Sequence, residues 1–285
     1  MQALATRKNT AAVRFYVAAN QEGGAIQALQ GAGFSEIPSA VDQGRLRPSD
    51  LRSESDFWGT ELRAAGVNLN FAPVLDVVPA GSEPQNRPIG ALEREYGDDP
   101  ASVGAHGGAF IRGMANAGVA TVAKHFPGLG RVRGNTDFTA DVVDSVTTPD
   151  DPYLDSFRQT VNAGVPMVMV ALATYTKIDP HRLAAFSPLV MRLLRKSYGF
   201  HGLIVSDDIG GTAAVSGIPP GVRAVEFLRA GGDLIISKFA QPTDEMAEAV
   251  LARAESDPTF RARADDAVSR VLRAKKASGL LPCDG

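Results

Sequence analysis

Several short stretches of the chain are almost uninterrupted in apolar residues: 15–19, 118–123, 165–172, 203–206 and 233–237. Runs of this length without polar alternation fit strands buried on both faces, as in a parallel sheet. A further strand is expected over 67–77. Apolar positions recur with helical spacing over 49–65, 101–117, 152–163, 189–198, 221–230 and 243–278, the last holding two helices or more. Gly66 and Gly199 stop two of these helices and Asp99-Pro100 opens another. Residues 3–14 read as the tail of a helix leading into the first strand. In the helix over 49–65, Leu51, Phe57, Trp58, Leu62 and Ala65 share one stripe, which puts Trp58 in the core and not under a ligand. Strands alternating with helices at this spacing mean a parallel α/β fold.

Two strand ends carry chemistry. The run 118–123 passes into Lys124 and His125, and then into Phe126-Pro127-Gly128-Leu129-Gly130, where proline and glycine break regular structure. Ligands of parallel α/β proteins bind at the C-terminal ends of strands. A cation beside an imidazole there suits a hydroxyl-rich ligand, although a Lys-His pair alone could simply cap a strand. The run 203–206 delivers Asp207 and Asp208. Neighbouring residues at a strand end point to opposite faces, so one of the two faces a ligand. His106, His181 and His201 read as satisfied or solvated residues away from this end.

Composition narrows the classes. A chain of 285 residues with 44% hydrophobic content can bury a large core, and α/β barrels of this length are often one domain, here expected over 1–285. A net charge of −3 without a basic block gives no nucleic-acid footprint. The single cysteine, Cys283, excludes an intramolecular disulfide framework. No apolar run approaches the ~18–20 residues of a membrane span, and the start has no signal-peptide core. That start implies a cytoplasmic protein if native and allows a secreted one if truncated. No cofactor and no metal ligand set is expected. Oligomeric state is not legible.

Taken in order, K-H-F-P-G-L-G at 124–130 and G-L-I-V-S-D-D at 202–208 resemble glycoside hydrolase family 3, and within it the compact β-N-acetylhexosaminidase branch. Asn20-Gln21-Glu22-Gly23-Gly24, Pro38-Ser39-Ala40, F-A-P-V-L-D-V at 71–77 and Glu93-Arg94-Glu95-Tyr96 extend the likeness over about 12–280. The resemblance implies a TIM-type (β/α) barrel, here either truncated at its start or lacking its first βα unit, and no sandwich-like second domain. It implies a carbohydrate substrate: terminal N-acetylglucosamine on peptidoglycan- or chitin-derived fragments, removed through a covalent glycosyl-enzyme. It makes Asp207 the nucleophile and Asp208 a capping carboxylate. It makes Lys124, His125, Arg94 and Asp76 sugar-binding or anchoring residues, and gives Glu22 a structural role beside its glycine turn. Asn20 stands where the family has an Asp that bonds sugar hydroxyls. An amide can still donate and accept there.

The likeness breaks in one loop. After Gly130 the family runs four residues to D-S-H, whose His is the acid/base and whose Asp is its partner. This chain has Asn135, Thr136 and Asp137 at those places. Three readings are open. Asp137 is a carboxylic acid/base and the protein a working hydrolase; or the loop is catalytically empty and the protein a non-catalytic sugar-binding relative; or it is a phosphorylase, which a carboxylate repelling phosphate ranks last. A retained Asp207 favours hydrolysis, since a pure binder needs no nucleophile.

Overall fold

The computed structural model describes residues 1–281, so Cys283 lies outside the described residues. Six strands form one curled parallel sheet in the order in which they occur along the chain. They are β1 (Ala18–Ala19), β2 (Leu69–Asn70), β3 (Ala120–Phe126), β4 (Met167–Val170), β5 (Leu203–Asp208) and β6 (Leu234–Ile236). Among the described residues no ladder joins β1 to β6, so the expected barrel is present as an open, partial one with helices around it. The helices that matter here are α1 (Pro48–Ala64), α2 (Pro100–Asn116), α3 (Asp155–Asn162), α4 (Pro188–Arg192), α5 (Pro220–Ala230), α6 (Gln241–Ser256) and α7 (Pro258–Ala277). Asp99 caps α2 by accepting the Ser102 N–H at 2.9 Å, with Pro100 at the first helical position.

The alternation of side chains across each strand creates two apolar layers. Ala123, Val168, Val170 and Ile204 point outward and pack with Phe110, Phe157 and buried Trp58 of the helical layer. Leu69, Val122, Met167, Met169, Leu203 and Val205 fill the concave face. The same period of two carries Val122 on to Lys124, and Leu203 and Val205 on to Asp207. The apolar filling of the concave face therefore gives way, at the C-terminal strand ends, to charge. At the opposite end of β6, buried Asp233 is held by Arg195 and Arg263 and accepts the Ile204 N–H at 2.9 Å. That tie locks β6 beside β5.

Local expectations need four corrections. The strand expected over 67–77 is only Leu69–Asn70 with one further bridge at Val74, because Pro73 has no N–H to donate to a ladder. The helix expected over 3–14 is only a turn at Gln2–Leu4 and one at Arg7–Thr10. Ala11 and Ala12 then adopt left-handed backbone at φ 52° and 63°, which an α-helix cannot continue through. The first strand shrinks from 15–19 to its last two residues, because the Val17 N–H bonds the Asn68 side chain in place of a strand backbone. The strand expected to stop at 123 instead runs through Phe126, so Lys124 and His125 lie within β3. His106 is buried, its ring bonding the Ser102 and Leu46 carbonyls at 2.8 and 2.9 Å.

Candidate active site

A cavity of about 500 Å³ opens at the C-terminal ends of the strands. Asn20, Glu22, Arg94, Lys124, His125, Asp137, Asp207 and Asp208 line it, and Asp76 sits just behind. The seven catalytic or binding candidates, Asn20, Asp76, Arg94, Lys124, His125, Asp137 and Asp207, are thus brought to one place. Glu22 is the exception to the expectation about roles, because its carboxylate is the hub of the site and does more than support a turn.

Glu22 lies in the short strand Gln21–Gly23 that follows β1, and it is almost fully buried. Its Oε1 meets Lys124 Nζ at 2.5 Å and Arg94 Nη2 at 2.8 Å, while Oε2 accepts from Arg94 Nε at 2.8 Å. Burial alone would raise the Glu22 carboxyl, but the Arg94 and Lys124 charges and hydrogen bonds outweigh it and hold it at about 2. Burial lowers Lys124 below the usual lysine range, with Glu22 offsetting part of that, whereas Glu22 raises Arg94 against the cost of its burial. Arg94 is therefore a buried, bidentate partner of Glu22. Its remaining anchor is the Pro88 carbonyl at 2.7 Å. Lys124 Nζ also donates to Asn20 Oδ1 at 3.0 Å, leaving the Asn20 amide group as a donor toward the cavity.

Asp76 fixes His125. Its Oδ2 is 2.7 Å from His125 Nδ1, and its Oδ1 accepts the backbone N–H groups of His125 at 3.1 Å and Leu129 at 2.8 Å. The imidazole edge carrying Nε2 is left for the cavity. Two further residues, neither of them singled out by sequence, shape the loop that follows. Tyr175 donates its hydroxyl to the Gly128 carbonyl at 2.7 Å, and Asn86 Nδ2 donates to the carbonyls of Leu129 and Val132, both at 2.7 Å. Asn86 lies in a stretch readable only as irregular, and nothing in its spacing marked it. Gly130 passes so close to Val77 that a Cβ would collide with the Val77 carbonyl, a backbone atom with no room to yield. Gly130→Ala is expected to displace the whole loop and cost activity by more than about tenfold, with a lowered Tm. Thermal melting and kcat/KM on a chromogenic glycoside check this, and an unaffected variant would show that the loop has slack.

The loop 131–142 is tied at both ends. Arg131 pairs bidentately with Asp151 at 2.6 and 2.7 Å and lies 3.8 Å over the Tyr153 ring. At its far side the Thr136 and Asp137 carbonyls accept the backbone N–H groups of Ala214 and Ala213, each at 3.1 Å. These bonds seat Asp137 at the mouth of the cavity, in the same electrostatic neighbourhood as Asp207. Partial burial raises the Asp137 carboxyl above the usual range, and the Asp207 charge adds to it, with His125, Arg94 and Lys238 pulling the other way. Asp207 itself ends the concave row of β5, and its charge is felt by both Arg94 and Lys124. Asp208 turns aside, its Oδ1 accepting the N–H groups of Gly210 and Lys238 at 2.8 and 2.9 Å, as a capping carboxylate does. Among the described residues no cluster of three His, Cys, Asp or Glu side chains is arranged to hold a metal, and no helix is long and apolar enough to cross a membrane.

Residues 1–274 match the model of the glycosyl hydrolase family 3 N-terminal domain. A β-hexosaminidase of Stenotrophomonas maltophilia is 35% identical over 251 residues, covering 83% of this chain and 71% of that protein. A Xylella fastidiosa β-hexosaminidase is 34% identical over 247 residues, with the same coverages of 83% and 71%. The crystal structure of a β-N-acetylhexosaminidase from Beutenbergia cavernae superposes with a TM-score of 0.93 at 47% identity, over 96% of this chain and 82% of that one. The chain belongs to glycosyl hydrolase family 3.

Proposed function

We propose that the protein is a retaining β-N-acetylglucosaminidase that removes terminal N-acetylglucosamine from peptidoglycan- or chitin-derived fragments, with Asp207 as nucleophile and Asp137 as acid/base. The supporting observation is the pairing of two carboxylates across one cavity in unequal surroundings. Asp207 lies beside the cations Lys124 and Arg94, while burial and the Asp207 charge favour a proton on Asp137. Unequal surroundings assign acid and nucleophile. On this reading residues 1–285 work as one domain, because the acid comes from a loop of the same barrel. The β-hexosaminidase relatives support the substrate class.

Asp207 attacks the anomeric carbon and the glycosidic bond breaks, while Asp137 gives its proton to the departing oxygen. Asp137, now a carboxylate, takes a proton from water as that water attacks the glycosyl-enzyme, which frees Asp207 and restores the acid. Lys124, Arg94 and the Asn20 amide hold the sugar's hydroxyls, and His125 presents its free ring edge, oriented through Asp76.

Asp137→Ala is expected to lose most of its activity, about 10²-fold or more, on disaccharides. The loss on nitrophenyl glycosides should be much smaller, because their leaving group needs little protonation. In wild type the disaccharide rate should fall on the alkaline side as Asp137 loses its proton, and that limb should vanish in the variant. Rates against pH on both substrates check this. A variant as fast as wild type on disaccharides would remove Asp137 from the mechanism. A wild type that binds N-acetylglucosamine and turns over no β-N-acetylglucosaminide would be the sugar-binding relative instead.

A further inference from the structure

We infer that Phe138 is the platform on which the leaving-group sugar packs, so that the loop carrying Asp137 also selects what is cleaved off. The inference rests on the hydrolase assignment above. A general acid delivers its proton to the glycosidic oxygen, and that oxygen belongs to the departing ring. The residue next to such an acid, if its side chain faces the same cavity, borders the departing ring as well. Phe138 meets both conditions: it follows Asp137 directly and lines the cavity with it, while remaining 82% exposed. An aromatic ring that open to water gains nothing from the protein's own core, and a pyranose offers a C–H face that would cover it.

The surroundings are ordered enough for this. Phe138 donates its backbone N–H to the Asn135 carbonyl at 3.0 Å, and Thr139 donates to the same carbonyl at 2.8 Å. The Asn135 side chain accepts the Asp137 N–H at 3.0 Å. The Ala213 and Ala214 N–H groups hold the turn from the other side. Deeper in the cavity, Lys124, Arg94, Glu22 and Asn20 suit the hydroxyls of the terminal sugar, with Phe71, Met169 and Ile236 as apolar wall, none of them as open to water as Phe138. The charged and amide groups inside and the exposed ring at the loop match a disaccharide held with its terminal ring inside and its second ring on Phe138.

Because a disturbed acid would also penalise disaccharides, the test is equilibrium binding with the chemistry removed. In an Asp207→Asn background, calorimetric dissociation constants are measured for N-acetylglucosamine and for N,N′-diacetylchitobiose. Adding Phe138→Ala should weaken the disaccharide about tenfold more than the monosaccharide, and Phe138→Trp should restore the difference. Equal losses for the two sugars, no loss for either, or a Trp variant that fails to restore disaccharide binding would each overturn the inference. If Asp207→Asn alone bound neither sugar and wild type cleaved none, the hydrolase assignment would fall, and the platform with it.

Discussion

Asp207→Ala should abolish turnover, lowering kcat by about 10⁴-fold or more on every β-N-acetylglucosaminide, nitrophenyl glycosides included. Loss on activated substrates separates it from Asp137→Ala, because no leaving group relieves the need for a nucleophile. Binding of N-acetylglucosamine should change by less than about tenfold, since Lys124, Arg94 and Asn20 keep their positions through Glu22 and not through Asp207. Azide gives a sharper distinction. With Asp207 removed, azide can enter from the nucleophile's side and should yield the α-glycosyl azide. With Asp137 removed, azide attacks the glycosyl-enzyme from the opposite face and should yield the β-anomer. Product stereochemistry by NMR reads the outcome. An Asp207→Ala enzyme at wild-type rate, or identical anomers from the two variants, would reverse the assigned roles.

Glu22→Gln should be the most destabilising of the conservative changes in the site. It removes the one anion in contact with both Arg94 and Lys124 and leaves two buried cations facing each other. Breaking a buried ion pair from one side typically costs about 3–5 kcal/mol, so a fall in Tm of on the order of 10 °C is expected. The pH dependence follows from the depressed carboxyl. Its folded-state value of about 2 lies below the ordinary 4.5, so ionised Glu22 contributes stability that is fully present above about pH 4.5. That contribution, about 3 kcal/mol, is lost as pH falls toward 2. Urea unfolding at pH 7 and at pH 3 checks the sign: the gap between wild type and Glu22→Gln should narrow in acid. A variant as stable as wild type at pH 7 would mean that the cations find other partners.

The parallel α/β arrangement was legible because strands buried on both faces leave uninterrupted apolar runs, as at 165–172 and 203–206. The site was legible where chemistry stands at a strand end, as with Lys124, His125 and Asp207. What escaped was geometry that depends on distant backbone. Nothing near Glu22 reveals that Arg94, seventy-two positions on, will close around it bidentately. Asn86 and Tyr175 hold carbonyls of the loop that follows β3, and a bond to a carbonyl leaves no trace in residue type. The early helix failed for the opposite reason. Its composition suits a helix, but two left-handed alanines end it, and alanine gives no warning of such backbone.

Glu22, Arg94 and Lys124 also constrain descent. They come from three separate segments of the chain yet share one buried cluster at the cavity floor, so its charge is a property of the set. A mutation that neutralises Glu22 strands two cations, and one that removes Arg94 or Lys124 leaves the carboxylate short of a partner. Each single step from the triad is therefore a loss, and related chains are expected to keep or change these three positions together. Asn20 is different, because it accepts a hydrogen bond from Lys124 without contributing charge. An exchange of Asn for Asp there would add a second anion beside Lys124 while leaving the triad's own bonds in place. Position 20 is thus where a lineage could retune its preference among sugars through viable intermediates.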